Sequence, residues 1–184
     1  VGAMDLTLAF IRAFAFGAHA AIGQLYNGGP YSGHLEDVVA ILREFNFDGR
    51  VIQVAYLHDI REDTKVTSDD LKALSVGVLV IRAVEFVTDE PGHNRKTRKL
   101  NTYARVREEI DRHSDMGWLR DGVLVKLADR VANLRSSHKG NPGLLKMYRK
   151  EAADFRDAYQ LPEYVYASDP RWERLLAEYD RLVA

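Results

Sequence analysis

The 184-residue sequence predicts an all-α domain of roughly eight to ten helices, and three observations carry that expectation. Apolar residues recur at three- and four-residue spacing along almost the whole chain. Breaker clusters separate these stretches at short intervals, as connections in helical domains require. The one β-branched run, GVLVIRAVEFVT (77–88), lacks strict alternation and has no second strand to pair with, so it too is expected to be helical.

Taken in order, LTLAFIRAFAFGAHAAIGQLY (6–26) places Leu8, Ile11, Ala15, Ala18 and Ile22 on one stripe, predicting a mostly buried first helix. NGGPYSG (27–33) is a breaker cluster and is expected to be loop. HLEDVVAILREF (34–45) resumes helix with His34 at or near its start, and residues 46–49 close it. RVIQVAYLHDI (50–60) is the next helix, which REDTKV (61–66) leaves. TSDDLKAL (67–74) has the form of a capped start, with Thr67 or Ser68 as N-cap. DEPGHNR (89–95) is loop, and KTRKLNTYARVREEIDRHS (96–114) is a long amphipathic helix, basic in its first half and acidic in its second. DGVLVKLADRVANLRSS (121–137) is helical, HKGNPG (138–143) a break, and LLKMYRKEAADFRDAYQL (144–161) and PRWERLLAEYDRLVA (170–184) the last two helices. No repeat or linker interrupts the pattern, so residues 5–184 are expected to form one domain. VGAM (1–4) has the look of an expression remnant and is set aside.

Composition narrows the function. There are 26 basic and 27 acidic residues, so no global field favours DNA, RNA or a membrane surface, and any positive site must be local. The absence of cysteine excludes disulfides, thiolate zinc sites and a cysteine nucleophile, and is compatible with a cytoplasmic compartment. No apolar run reaches the roughly 18 residues of a membrane span.

The stretch AYLHDIREDT (55–64) ends an apolar run in a His-Asp pair followed by a Glu-Asp pair. Burying ionisable groups without partners is costly, so something must compensate this cluster. His34, and Asp129 within the apolar stripe of Val125, Leu127, Ala128, Val131 and Leu134, raise the same demand. Imidazole and carboxylate donors together suit a borderline-to-hard divalent cation such as manganese, iron, zinc, cobalt or magnesium. Plain alternatives stand beside each: His34 as a cap or surface residue, Asp129 paired with Lys126 or Arg130, and the acidic pair as a solvated helix end. If helix persists, His58 shares a face with Glu62, Asp59 with Asp63, and Asp129 with Asn133. Glu62 or Asp63 could then orient or deprotonate a water that the cation makes acidic.

The order His34, His58-Asp59, Asp129 resembles the metal signature of the HD-domain phosphohydrolases. HDIREDT (58–64) and VKLADRVANLR (125–135) are similar to the hydrolase domain of RelA/SpoT-type enzymes and to the small alarmone hydrolases. AHAAIGQLYNGGPYSGH (18–34) is similar to that family's opening segment, and the likeness runs from about Ala15 to Tyr159. The resemblance implies an HD-domain helical bundle in which His34, His58, Asp59 and Asp129 bind a manganese-like ion. It implies that Glu62 and Asp63 activate the attacking water and that Asn133 contacts the substrate sugar. The reaction implied is removal of pyrophosphate from the 3′ position of guanosine tetra- or pentaphosphate.

Departures from the family pattern concern the nucleotide side. Leu25-Tyr26 replaces an Arg-Lys pair that usually follows the glutamine, and Leu35 stands where proline often follows the first ligand. Tyr26 could stack on a base or pack within its loop. An HD-domain 5′-nucleotidase or deoxynucleotide triphosphohydrolase therefore stays open, favoured by Leu25-Tyr26. A non-catalytic nucleotide-sensing module is the third reading, against which the intact Glu62 and Asp63 argue.

A phosphate-rich substrate calls for cations. NRKTRKLNTYAR (94–105) supplies Arg95, Lys96, Arg98, Lys99 and Arg105 at a helix start, where the dipole favours acids, so the cluster is read as facing a ligand. A plain solvated face is its alternative, as is pairing with Glu108, Glu109 and Asp111. Arg61 precedes the acidic pair and could neutralise it or touch phosphate. KMYRK (146–150) adds Lys146, Tyr148 and Arg149, matching a family region that lines the site. The expected partner is a phosphorylated nucleotide. Oligomeric state is not readable, because Trp118, Trp172, Tyr159, Tyr164 and Tyr166 suit core and interface alike.

Overall fold

Helices form wherever the sequence period is helical in the computed structural model, which describes residues 3–166 and 169–184. The described order is α1 (Ala3–Ala21), β1 (Leu25–Tyr26), β2 (Gly29–Pro30), α2 (Ser32–Glu44), α3 (Arg50–Leu57), α4 (Ile60–Asp63) and α5 (Ser68–Ala73). There follow α6 (Val78–Val87), α7 (Arg95–His113), α8 (Gly117–Gly140), α9 (Pro142–Ala158), α10 (Glu163–Tyr166) and α11 (Pro170–Val183). The all-α expectation holds, and α4 and α10 are single turns. Val1 and Gly2 of the N-terminal tetrapeptide lie outside the described residues. Among the described residues no helix is long and apolar enough to cross a membrane.

The centre of the fold is α8, which packs against α2, α3, α6, α9 and α11. Its buried residues, from Trp118 and Leu119 through Val125 and Ala128 to Val131 and Leu134, occupy all sides, as befits a helix inside a core. The β-branched run is α6, whose buried Val80, Ile81, Ala83, Val84, Phe86 and Val87 repeat at helical spacing. It approaches α8 at Gly122, where an added Cβ would lie 2.6 Å from Phe86 Cδ1. Trp118, Trp172 and Tyr159 belong to this core, whereas Tyr164 is exposed.

Several boundaries differ from expectation for identifiable reasons. The NGGPYSG segment is not plain loop: Leu25 pairs with Pro30 and Tyr26 with Gly29, across a turn in which Asn27 and Gly28 both take positive φ (52° and 81°). That is the Asn-Gly turn a two-residue hairpin favours. The first helix is less buried than expected. Ile11 and Ala15 are enclosed, but Ile22 lies past the helix end and is exposed, and the next buried position is His19. Helix over 50–60 is interrupted, since α3 stops at Leu57 and Asp59 (φ −100°, ψ −1°) sits in the bridge region between α3 and α4. The break near 138–143 shrinks to Asn141, whose side chain accepts from the Leu144 N–H at 3.0 Å and starts α9. Thr67 is the N-cap of α5 in a reciprocal capping box with Asp70.

Candidate metal centre and substrate cleft

His34 comes from the first turns of α2, His58 and Asp59 from the α3–α4 junction, and Asp129 from the middle of α8. Helix packing brings all four together. Donor atoms of His34, His58 and Asp59 lie within 4.8 Å of one another. Asp129 Oδ1 is 3.2 Å from His34 Nε2 and 3.9 Å from His58 Nε2, while Asp59 Oδ2 is 2.9 Å from His58 Nε2. The two imidazoles are buried.

The donor set fits a divalent cation. His58 Nδ1 lies 2.7 Å from the Ala55 carbonyl, which can only accept, so Nδ1 carries the proton, and Nε2 faces the cluster, close to Asp59 Oδ2 but with no aligned hydrogen bond among the described residues. Burial by itself lowers the His58 pKa, but the neighbouring Asp59 and Asp129 carboxylates outweigh it and raise the imidazole to about 9. Burial likewise opposes ionisation of Asp59 and Asp129. Asp59 is nevertheless held low chiefly by His58, and Asp129 by its hydrogen bond to His34 and by Lys126. The cluster thus demands positive charge at its centre, and a cation binding there would displace protons. Asp59 Oδ2 accepts from the Tyr31 hydroxyl, and Asn133 Nδ2 donates to Asp129 Oδ1 at 2.6 Å, so the carboxylate oxygen that faces the imidazoles is in each case also held by a neutral donor.

His34, Asp59 and Asp129 open onto a polar cleft of about 620 Å³ that Glu62 and Asp63 also line. The break at Asp59 means that their relation to the cluster does not come from a continuous helix face. Instead, the Asp59 carbonyl accepts from the Glu62 and Asp63 N–H groups at 3.1 and 3.0 Å, which turns both carboxylates into the cleft. Glu62 Oε1 accepts from the Asp89 N–H, and Asp63 Oδ2 from Gln24 Nε2 at 2.6 Å. Burial first, then the negative Asp59, raises the pKa of both.

The cationic residues separate into groups. Arg61, Arg95, Arg98 and Lys99 line the cleft, as do Tyr26 and Tyr148. Lys96, Lys146 and Arg149 are exposed outside it, because their helices turn them to solvent. Most lining cations are already paired, though not with Glu108, Glu109 or Asp111. Arg95 binds Glu151 in two hydrogen bonds (2.7 and 3.0 Å), Lys99 binds Asp89 at 2.6 Å, and Arg105, which does not line the cleft, pairs with Glu90. Among the described residues neither Arg61 nor Arg98 has a carboxylate partner. Gly92 lets the loop before α7 pass close to Arg98, where an added Cβ would meet the Arg98 nitrogen at 2.7 Å. Tyr26 packs its ring 4.7 Å from that of His34, and Leu25 is 67% exposed. The Arg130 guanidinium sits 4.8 Å from the Tyr148 ring centroid.

Sequence reasoning passed over Asp89, Glu90 and Glu151. The first two follow an apolar run much as Glu62 and Asp63 do, which was a usable signal. Glu151 lies among alternating charges on α9 and carried none. Lys126 was weighed as a partner of Asp129 and does approach it (Nζ to Oδ2 3.9 Å), whereas Arg130 turns to Glu151 at 3.1 Å. Burial opposes the Lys126 charge, but Glu62, Asp129 and Asp89 hold it protonated.

A helical bundle with a His/His-Asp/Asp cluster at its centre defines a class of metal-binding domain. Residues 12–154 match the family model described as HD domain, and the chain belongs to that family. The human guanosine-3′,5′-bis(diphosphate) 3′-pyrophosphohydrolase MESH1 is 39% identical over 117 residues, covering 62% of this chain and 60% of that protein. The bifunctional (p)ppGpp synthase/hydrolase SpoT of Escherichia coli K12 is 30% identical over 146 residues, 78% of this chain and 20% of that one. The chain thus spans less than two thirds of either curated relative. Among solved structures, a metazoan ortholog of SpoT described as hydrolysing ppGpp superposes with a TM-score of 0.69 at 24% identity, covering 98% of this chain and 96% of that one, a likeness of fold.

Proposed function

We propose that this chain is a manganese-dependent nucleotide phosphohydrolase that removes pyrophosphate from the 3′ position of guanosine tetra- or pentaphosphate in the cytoplasm. The observation that carries this reading is that Glu62 and Asp63 line the same cleft as His34, Asp59 and Asp129, with the fourth candidate ligand, His58, buried against them. A cleft of about 620 Å³ is within the usual range for a small-molecule site. The activities for which the human and bacterial relatives are named agree with it.

His34, His58, Asp59 and Asp129 would hold the cation, which when bound supplies Lewis acidity to a phosphoryl oxygen and to water. Glu62 and Asp63 each have one oxygen fixed by a donor, leaving the other for the attacking water. Their raised pKa values make them better proton acceptors than ordinary carboxylates. As the water oxygen bonds to phosphorus and the bond to the 3′ oxygen breaks, the proton taken up is returned to that leaving oxygen. Asn133 donates to Asp129 and keeps its carbonyl for a ribose hydroxyl. Arg61 and Arg98, which line the cleft without a carboxylate partner among the described residues, are left for phosphate, and Tyr26 and Tyr148 offer rings to the nucleoside.

The test is incubation with manganese and a panel of guanosine tetraphosphate, deoxynucleoside monophosphates and deoxynucleoside triphosphates, with products identified. Pyrophosphate from the 3′ side is expected. Orthophosphate or triphosphate from the 5′ side would replace this reading with a 5′-nucleotidase or triphosphohydrolase. Binding without turnover would leave a sensing module.

A further inference from the structure

We propose that His19 and Gln24 are positioning residues that set Asp63 relative to the metal cluster, an inference that rests on Asp63 acting upon the attacking water. Local sequence builds the device. Gly23 takes φ +66°, its N–H donates to the Ala20 carbonyl at 3.0 Å, and the Gln24 N–H donates to the His19 carbonyl at 3.2 Å. This is a Schellman end to the first helix, and its sixth-to-first bond ties Gln24 back to His19 through the backbone.

The side chains then form a directed chain. An ionised Asp63 carboxylate can only accept, so Gln24 must present its amide NH₂ to it, at 2.6 Å. The amide oxygen is thereby turned to His19 Nδ1, also at 2.6 Å, and that nitrogen must carry the proton. His19 is only 1% exposed, and its other nitrogen, Nε2, has no hydrogen-bond partner among the described residues. It continues the buried stripe of Ile11 and Ala15, where an apolar residue would avoid the desolvation cost. Packing therefore gives no reason for an imidazole at this position, whereas orientation of Gln24 does. The same ring lies 4.6 Å from that of Tyr31, whose hydroxyl donates to Asp59. One buried imidazole thus braces two arms, one ending on the carboxylate for water and one on a candidate ligand.

Two measurements test this, the first independent of turnover. Nitrogen-15 and carbon-13 shifts of the His19 ring in the metal-free protein, assigned against His19→Asn, should show the Nδ1–H tautomer. The Nε2–H tautomer would overturn the chain. In the second, Gln24→Leu should lower kcat by about 10–100-fold with KM, bound manganese and thermal midpoint unchanged. Placed on Asp63→Asn, it should cause no further loss. His19→Asn, which keeps a donor near the Nδ1 position, should retain more kcat than His19→Phe. A Gln24→Leu variant at full rate beside a slow Asp63→Asn would overturn the positioning role alone. Equal losses from Gln24→Leu in both backgrounds would also overturn it. A full-rate Asp63→Asn would instead overturn the water-activation reading on which the inference rests.

Discussion

Behind one side of the cleft, His58 Nε2 faces Asp59 and Asp129 with no aligned hydrogen bond among the described residues, and three elements converge upon a point that requires positive charge. On the other side, Arg95 and Arg130 share Glu151 and Lys99 is matched to Asp89, so Arg95 and Lys99, read as facing a ligand, are already balanced. The difference teaches how to tell a binding centre from a structural wall. Buried polar atoms are ordinarily satisfied, so an imidazole nitrogen without a hydrogen bond, facing convergent carboxylates, points to a missing partner, whereas a cation matched by a carboxylate already serves the fold. The metal side is therefore expected to tolerate no change. The cationic side is expected to answer first in stability.

Breaking the metal side should have the largest effect. Asp129→Ala removes a candidate ligand and should abolish manganese binding and turnover together, measured by elemental analysis and product release. Unchanged bound metal would remove Asp129 from the ligand set. Next, Glu62→Gln keeps shape and hydrogen bonding but not basicity. It should retain the metal and slow kcat by about 10²–10⁴-fold, and a near-normal rate would exclude Glu62 from proton transfer.

The cationic wall sharpens the comparison from the opposite direction. Glu151→Gln leaves the buried Arg130 guanidinium without its carboxylate and should cost about 3 kcal/mol in chemical denaturation, with metal content untouched. Loss of metal in that variant would mean that the two walls are not separate. The smallest effect belongs to the surface, where Arg135 bridges Glu44 of α2 and Glu178 of α11. These groups are partly exposed, so Arg135→Ala should cost about 1 kcal/mol or less. Hydrogen bonds hold both carboxyls below the ordinary glutamate value, Glu44 through Arg135 and Glu178 chiefly through Arg181. Their contribution is accordingly complete above that value and is lost as pH falls through the lowered one. Arg135→Ala should therefore match wild type more closely in acid than at neutral pH, and a constant gap would refute the assignment.

Legibility differed by kind of feature. The helices of the core, including the β-branched α6, could be read because burial imposes its period on residue choice. Asp129 and the His58-Asp59 pair stood out as candidates because ionisable groups in or at the end of an apolar run must meet a compensating partner once buried, whereas His34 stood out only through the order of the four. The hairpin went unread, although its Asn-Gly signal was present. Glu151 gave no signal, because a glutamate on a charged helix looks the same whether it meets water or two arginines. Lys96 and Lys146 show the converse, since a basic run does not reveal which of its members face the cleft.

By itself the amino-acid sequence determined the all-α class, the order of the helices and the residue types able to bind a cation, since periodicity and chemistry are local properties. Tertiary structure decided the break at Asp59, which cations were left without partners and the route from His19 to Asp63. Those depend on distances between segments far apart along the chain, and only packing around the central helix sets them.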